Sequence, residues 1–304
     1  MALFEINKDK LNYIKEEKFK LEKDIQKLTE DNLSMVFGLD FIKSEFSLNK
    51  FRIDSLAFDK KLNSFVIIEY KRDKNFSVID QGYAYLALML NNKADFILEY
   101  NENTKHTLKR NDVDWSQSRV MFISPSFTTY QREAINFKDL PIELWEIKKY
   151  TNQTASYGQI QTDGAEESIK TISKENDTIN TVSKEIKVYT EDDTLSKAND
   201  EIKELYEKFK VSILNFDNIE IKPNKFYISF IKNSANVTDF EILSKSIKIT
   251  INLGQGILND PKEITRDVSN IGKMGNGDYQ IKITNDNDFE YILSLIKQSY
   301  IFKW

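Results

Sequence analysis

The stretch FRIDSLAFDKKLNSFVIIEYKRD, residues 51–73, holds two strongly apolar runs of strand length, each with an acid near its end. Such runs, separated by the turn-like KKLNS, predict two neighbouring antiparallel strands that bury most of their surface. Side chains along a strand alternate faces, so Glu69 and Lys71 share a face directly after the apolar FVII. Asp54 stands in the preceding strand and can approach the pair across the hairpin. Carboxylates brought together repel and raise a pKa unless a cation joins them, and Mg²⁺ or Mn²⁺ held by two acids, a carbonyl and waters removes that conflict. A lysine beside such an ion orients an attacking water or neutralises charge building on a phosphate. Taken singly, an E-x-K is more often an exposed ion pair where a strand emerges, and an acid such as Asp54 a turn cap.

The flanking sequence narrows the choice. Residues 8–37 are charged, with apolar residues returning at helical spacing (Leu11, Ile14, Phe19, Leu21, Ile25, Leu28, Leu33, Val36), which predicts a helix ending near Gly38. FIKSEFSL, FRIDSLAFD and FVIIEYK follow as a three-strand meander. Then VIDQGYAYLALMLNN is expected as a helix, ADFILEY and RVMFISPS as strands, TYQREAINF as a helix and IELWEIKKY as a strand. The order predicts a mixed α/β domain over residues 1–150, with a central mixed sheet flanked by helices. Residues 151–194 are rich in Thr, Ser, Asn and Gln and are expected to be a polar, flexible linker or extended segment, with room for a short helix. Residues 195–304 alternate a long amphipathic helix, the strands FYISFIK, SIKITINLG and DYQIKIT, and a final helix, which predicts a small α+β domain. GKMGNGD lacks the pattern of a phosphate-binding loop and is expected to be a turn.

Composition excludes several chemistries. The 304 residues contain no cysteine and a single histidine, His106, so thiolate zinc sites, cysteine nucleophiles and histidine cages are absent. Any metal would be a hard, oxygen-bound one. The net charge of −5 lies wholly within residues 151–200; the segments on either side are neutral overall, which leaves room for a local basic groove. No apolar run is long enough to span a bilayer, and the charged N-terminus is unlike a signal peptide. A cytoplasmic protein with no membrane partner is expected.

The joint pattern resembles the PD-(D/E)XK nuclease superfamily, in which a first helix supplies an acid, a hairpin an Asp, the next strand the (D/E)-x-K pair, and a helix then crosses the sheet. The likeness spans roughly residues 20–100. It implies a restriction-endonuclease-like core, with Glu30 (next to Asp31) as the helix acid and Asp54, Glu69 and Lys71 as the central motif. Asp54, Glu69 and the carbonyl of Tyr70 would be the ligands of Mg²⁺ or Mn²⁺. DQGYAY contains Q-x-x-x-Y through Gln81 and Tyr85, similar to the RecB-type branch, where the glutamine lies near the metal and the tyrosine near DNA. Ile53 stands where the name-giving proline would be, a variable position. Arg52, Arg72 and Lys74 are candidate phosphate contacts. The C-terminal ending resembles an uncharacterised domain often labelled "predicted transport protein" and found fused to nuclease-like domains.

The function these features imply is a divalent-metal-dependent endo- or exonuclease acting on DNA, in bacterial or archaeal defence or repair. The alternative is a non-catalytic module with a nuclease-like fold that binds nucleic acid or a partner. In either case the C-terminal domain is a candidate receiver for a ligand or protein effector. A homodimer would suit cleavage of both strands, although no heptad pattern demands one.

Overall fold

A computed structural model describes residues 2–72, 76–161, 167–172, 176–233, 235–271 and 277–303. The chain forms two compact units, Met1–Val188 and Tyr189–Trp304. Among the described residues no helix is long and apolar enough to cross a membrane.

The first unit opens with β1 (Leu3–Asn7) and β2 (Lys10–Ile14), an antiparallel hairpin, then β3 (Glu16–Glu17), α1 (Glu22–Glu30) and α2 (Leu33–Phe37). The helix expected over residues 8–37 is therefore confined to its second half. In KLNYI the apolar residues also alternate, a period of two that suits a strand, and Lys8 takes a left-handed φ of 57° in the turn. Gly38, at φ 66°, ends α2 as its position suggests. The meander β4 (Asp40–Leu48), β5 (Phe51–Asp59) and β6 (Ser64–Tyr70) follows, with antiparallel pairing throughout. Next come α3 (Val78–Asn91) and α4 (Lys93–Asn103). ADFILEY is thus helix rather than strand: Phe96, Glu99 and Tyr100 are buried at helical spacing, and a short apolar run is ambiguous by periodicity alone.

β7 (Arg119–Ser124), α5 (Thr129–Ala134), β8 (Ile142–Tyr150), β9 (Ala155–Gln159), α6 (Ile169–Ile172) and α7 (Asp177–Glu185) complete the unit. The sheet order is β3-β8-β7-β6-β5-β4, with β9 also paired to β8. β6, β7 and β8 run parallel, which requires a crossover between β6 and β7, and α3 and α4 lie within it. Every residue of β6 is buried because both sheet faces are covered. Phe65 and Ile67 pack with Tyr83, Leu86 and Met89 of α3, while Val66, Ile68 and Tyr70 pack with Ile25 and Leu33 of α1 and α2. Alternation therefore puts Glu69 on the α3 side.

The polar segment expected to link two domains is, up to Val188, part of the first unit. β9 extends the sheet, and Ile169, Ile179, Val182 and Ile186 are buried in the core that α3 shares. A few well-spaced apolar side chains are enough to dock a helix whose remaining surface is polar.

The second unit contains α8 (Glu191–Leu195), α9 (Asp200–Leu214), β10 (Ile219–Pro223), β11 (Ile228–Lys232), β12 (Ala235–Leu243), β13 (Ser246–Ile251), β14 (Arg266–Asp267), β15 (Tyr279–Ile283) and α10 (Phe289–Phe302). Its sheet is antiparallel, in the order β10-β11-β12-β13-β15-β14, and α9 and α10 bury Tyr206, Phe209, Phe289 and Ile296 against it. This is the expected α+β unit with α8, β10, β12 and β14 added. Residues 272–276, in the expected GKMGNGD turn, lie outside the described residues.

Candidate active site at the parting of two strands

β5 and β6 pair from Asp59 and Ser64 as far as Ser55 and Ile68, and there the ladder ends. The next main-chain donors need acceptors, since an unpaired buried N–H is costly. Two carboxylates supply them. The Asp54 N–H donates to Glu69 Oε1 (3.2 Å), and the Tyr70 N–H donates to Asp54 Oδ2 (3.0 Å). The parting of the strands thus draws the acid of each toward the main chain of the other.

Glu69 is 1% exposed. Its Oε2 accepts from Lys71 Nζ (3.0 Å) and from Gln81 Nε2 (3.2 Å), the amide coming from the first turn of α3. Gln81 Nε2 also donates to the Tyr85 hydroxyl (3.3 Å), one helical turn on, and that hydroxyl donates to the Arg52 carbonyl (3.2 Å). Asp54, Glu69, Lys71, Gln81 and Tyr85 therefore form one connected cluster, bringing together β5, β6 and α3.

The charges are unbalanced. Burial, then the neighbouring Asp54 charge, push the Glu69 carboxyl up to about 7, while Lys71 pulls the other way. Asp54 is raised by burial and by Glu22, against the Tyr70 N–H, Lys71 and Arg52. Tyr85 is raised by burial and then by Glu69. Burial raises both the buried Glu69 and the half-buried Asp54, and a cation shared by the two would offset that cost; their hard oxygens would suit Mg²⁺ or Mn²⁺. Among the described residues no three acidic or histidine side chains gather closely enough to hold a metal by themselves. A cation here would complete its shell from main-chain carbonyl and water.

The remaining predicted residues are placed differently. Glu30, at the end of α1, accepts from Ser55 Oγ and from Gln26 Nε2 (3.0 Å), and Ser55 Oγ also lies 3.2 Å from the buried Tyr70 hydroxyl. This puts Glu30 on the α1 side of the sheet, behind Asp54. The Tyr70 ring lies on that side too, leaving its main chain for the site. Arg52 is tethered by Glu45 at 3.6 Å, and the Arg72 guanidinium donates to the Lys20 carbonyl (2.8 Å). Lys74 lies outside the described residues.

Two residues were not singled out in the sequence. Glu22, at the start of α1, accepts from the Arg72 N–H (2.8 Å) and is among the charges acting on Asp54. Gln26, one turn on, donates to Ser44 Oγ (3.0 Å) and to the Asp54 carbonyl (2.9 Å), tying α1 to β5. An acid in the first turn of a helix is also what the helix dipole favours, so Glu22 carries no distinct signal in sequence.

These features define a two-unit mixed α/β protein with a carboxylate–lysine cluster in its first unit. Residues 191–303, most of the second unit, match DUF5655, a domain of unknown function. An uncharacterized protein of Haemophilus influenzae is 53% identical over 300 residues, covering 98% of this chain and 99% of its own length. The chain belongs to the family of that protein. No solved structure matches it.

Proposed function

We propose that the first unit is a divalent-metal-dependent nuclease that hydrolyses phosphodiester bonds in DNA, on a restriction-endonuclease-like core. The observation that carries this is the convergence of Asp54, Glu69 and Lys71 where β5 and β6 part, beside Gln81 of α3. The order of α1, the β4-β5-β6 meander, α3 and a β7 parallel to β6 supports it, being the order the resemblance implies.

Asp54 and Glu69 would hold Mg²⁺ or Mn²⁺ through their carboxylates, with the Tyr70 carbonyl completing the protein ligands. When bound, the cation supplies Lewis-acid activation of water and stabilises charge on the phosphate. Lys71, tethered to Glu69 and 6.0 Å from the centroid of the Phe76 ring, presents a fixed positive charge where negative charge develops on the phosphate oxygens. Gln81 fixes the Glu69 rotamer from one side and the Tyr85 hydroxyl from the other, so the acid is aimed before substrate arrives. Burial keeps bulk water from screening these charges. Arg52, at the rim, is available to the phosphate backbone. The second unit is proposed to receive a ligand or protein effector.

A non-catalytic binding module is the competing reading, and one observation favours it: main-chain N–H groups already engage both acids, which a purely structural end to the ladder would also produce. Incubation with plasmid, single-stranded DNA and RNA, each in EDTA, Mg²⁺ or Mn²⁺, separates the two. Metal-dependent hydrolysis of DNA is expected; EDTA-insensitive binding without any product would favour the module.

A further inference from the structure

Phe51 is 42% exposed, although the strand it begins runs straight into the core. Its neighbours Phe46 and Ile53 are buried. The ring sits on the last rung of the β4–β5 hairpin, paired with Leu48 across the Asn49–Lys50 turn, where Asn49 takes φ 56°. A side chain on such a rung has a fixed origin. One edge of the ring also packs against Tyr85, with centroids 6.1 Å apart and planes 64° apart, so its orientation is constrained while part of the ring stays open to solvent.

Tyr85 links this ring to the site, because its hydroxyl contacts Gln81 Nε2, which in turn contacts Glu69. Lys50 and Arg52 flank Phe51 in sequence, and the Arg52 side chain is 63% exposed. A partly open aromatic ring next in sequence to two cations, beside the proposed phosphate-cleaving centre, has the make-up of a single-strand platform: the cations follow the backbone and the ring takes a base. In a duplex the base faces are covered by their neighbours, so only an unpaired base can offer its face to the ring.

Granting the nuclease reading, on which this rests, we propose that Phe51 is a specificity-determining residue that stacks on an unpaired base next to the scissile phosphate, selecting single-stranded or frayed DNA over continuous duplex. One base–aromatic stack contributes about 1–3 kcal/mol, or on the order of 5- to 150-fold in affinity.

The test uses the full chain carrying Lys71→Ala in EDTA, so that binding is read without cleavage, with labelled oligothymidine, a duplex of equal length and oligouridine as probes. Adding Phe51→Ala is expected to weaken oligothymidine binding on the order of 5- to 150-fold, to leave duplex binding nearly unchanged, and to be reversed by Phe51→Trp. A matching fall on oligouridine supports the same stacking on either sugar; no fall there makes the platform specific for DNA. Oligothymidine binding that is absent, unchanged by Phe51→Ala, or weakened equally on duplex overturns the proposal. In the Lys71-competent chain the ratio of single-strand to duplex cleavage should fall with Phe51→Ala by a similar factor. Cleavage with no Phe51 effect overturns only the stacking role. Loss of oligothymidine binding in a chain that never cleaves overturns the nuclease and leaves Phe51 as a binding residue.

Discussion

Glu69 is the residue at which stability and the proposed function pull apart. Its carboxyl is raised from an ordinary value near 4.5 to about 7 by burial and by Asp54, so the folded chain holds the proton more tightly than the unfolded one. Its contribution to stability is therefore complete below about pH 4.5, falls as the pH rises through the interval, and is fully lost above about 7. Glu69→Gln removes that penalty. In EDTA, thermal melting should show the variant more stable than the parent at pH 8, by about 1–3 kcal/mol, with most of the gain gone at pH 5. A variant less stable at both values would mean that the carboxylate is needed to cap the ladder whatever its charge. The same substitution is expected to abolish metal-dependent cleavage, the trade-off of a site built for function.

Among the elements, α6 and α7 are the ones whose importance composition conceals. Ile169, Ile179, Val182 and Ile186 are buried, and full burial of such side chains is worth roughly 1.5–3 kcal/mol each, a sum comparable to the 5–15 kcal/mol of a whole domain. A chain ending at residue 150 should therefore lose cooperative melting and aggregate, while one ending at residue 188 should keep it; cooperative unfolding of the shorter chain would show that α6 and α7 are accessory. The motif strands were legible because the apolar FVII at the heart of β6 runs directly into E-x-K, where few alternatives fit. The helix over residues 8–20 was misread because Leu11 and Ile14 suit a helical face while Leu11 and Tyr13 suit a strand, and only pairing with β1 decides. Residues 151–188 were misread because Thr, Ser and Asn dominate the composition while four apolar positions do the docking. Glu22 was missed for want of geometry: its nearness to Asp54 depends on how α1 lies across the sheet.

For the molecule as a whole, the two compact units let the proposed metal binding be tested on each of them. An ion that binds the folded first unit stabilises it by about 2.7 kcal/mol at a hundred times its dissociation constant. Mg²⁺ or Mn²⁺ should then raise the melting temperature of residues 1–188 and leave residues 189–304 unaffected, as calorimetry of the separate units would show; equal shifts in both would point to nonspecific binding. The most direct test of the central claim is the rate of DNA cleavage in Mn²⁺ by Lys71→Ala beside the parent chain. Removing a group that stabilises charge in the transition state typically costs about 10²- to 10³-fold, and a loss of that size, with the variant still folded, is the predicted result. Equal rates in parent and variant would contradict it and leave Lys71 as an ion-pair partner of Glu69.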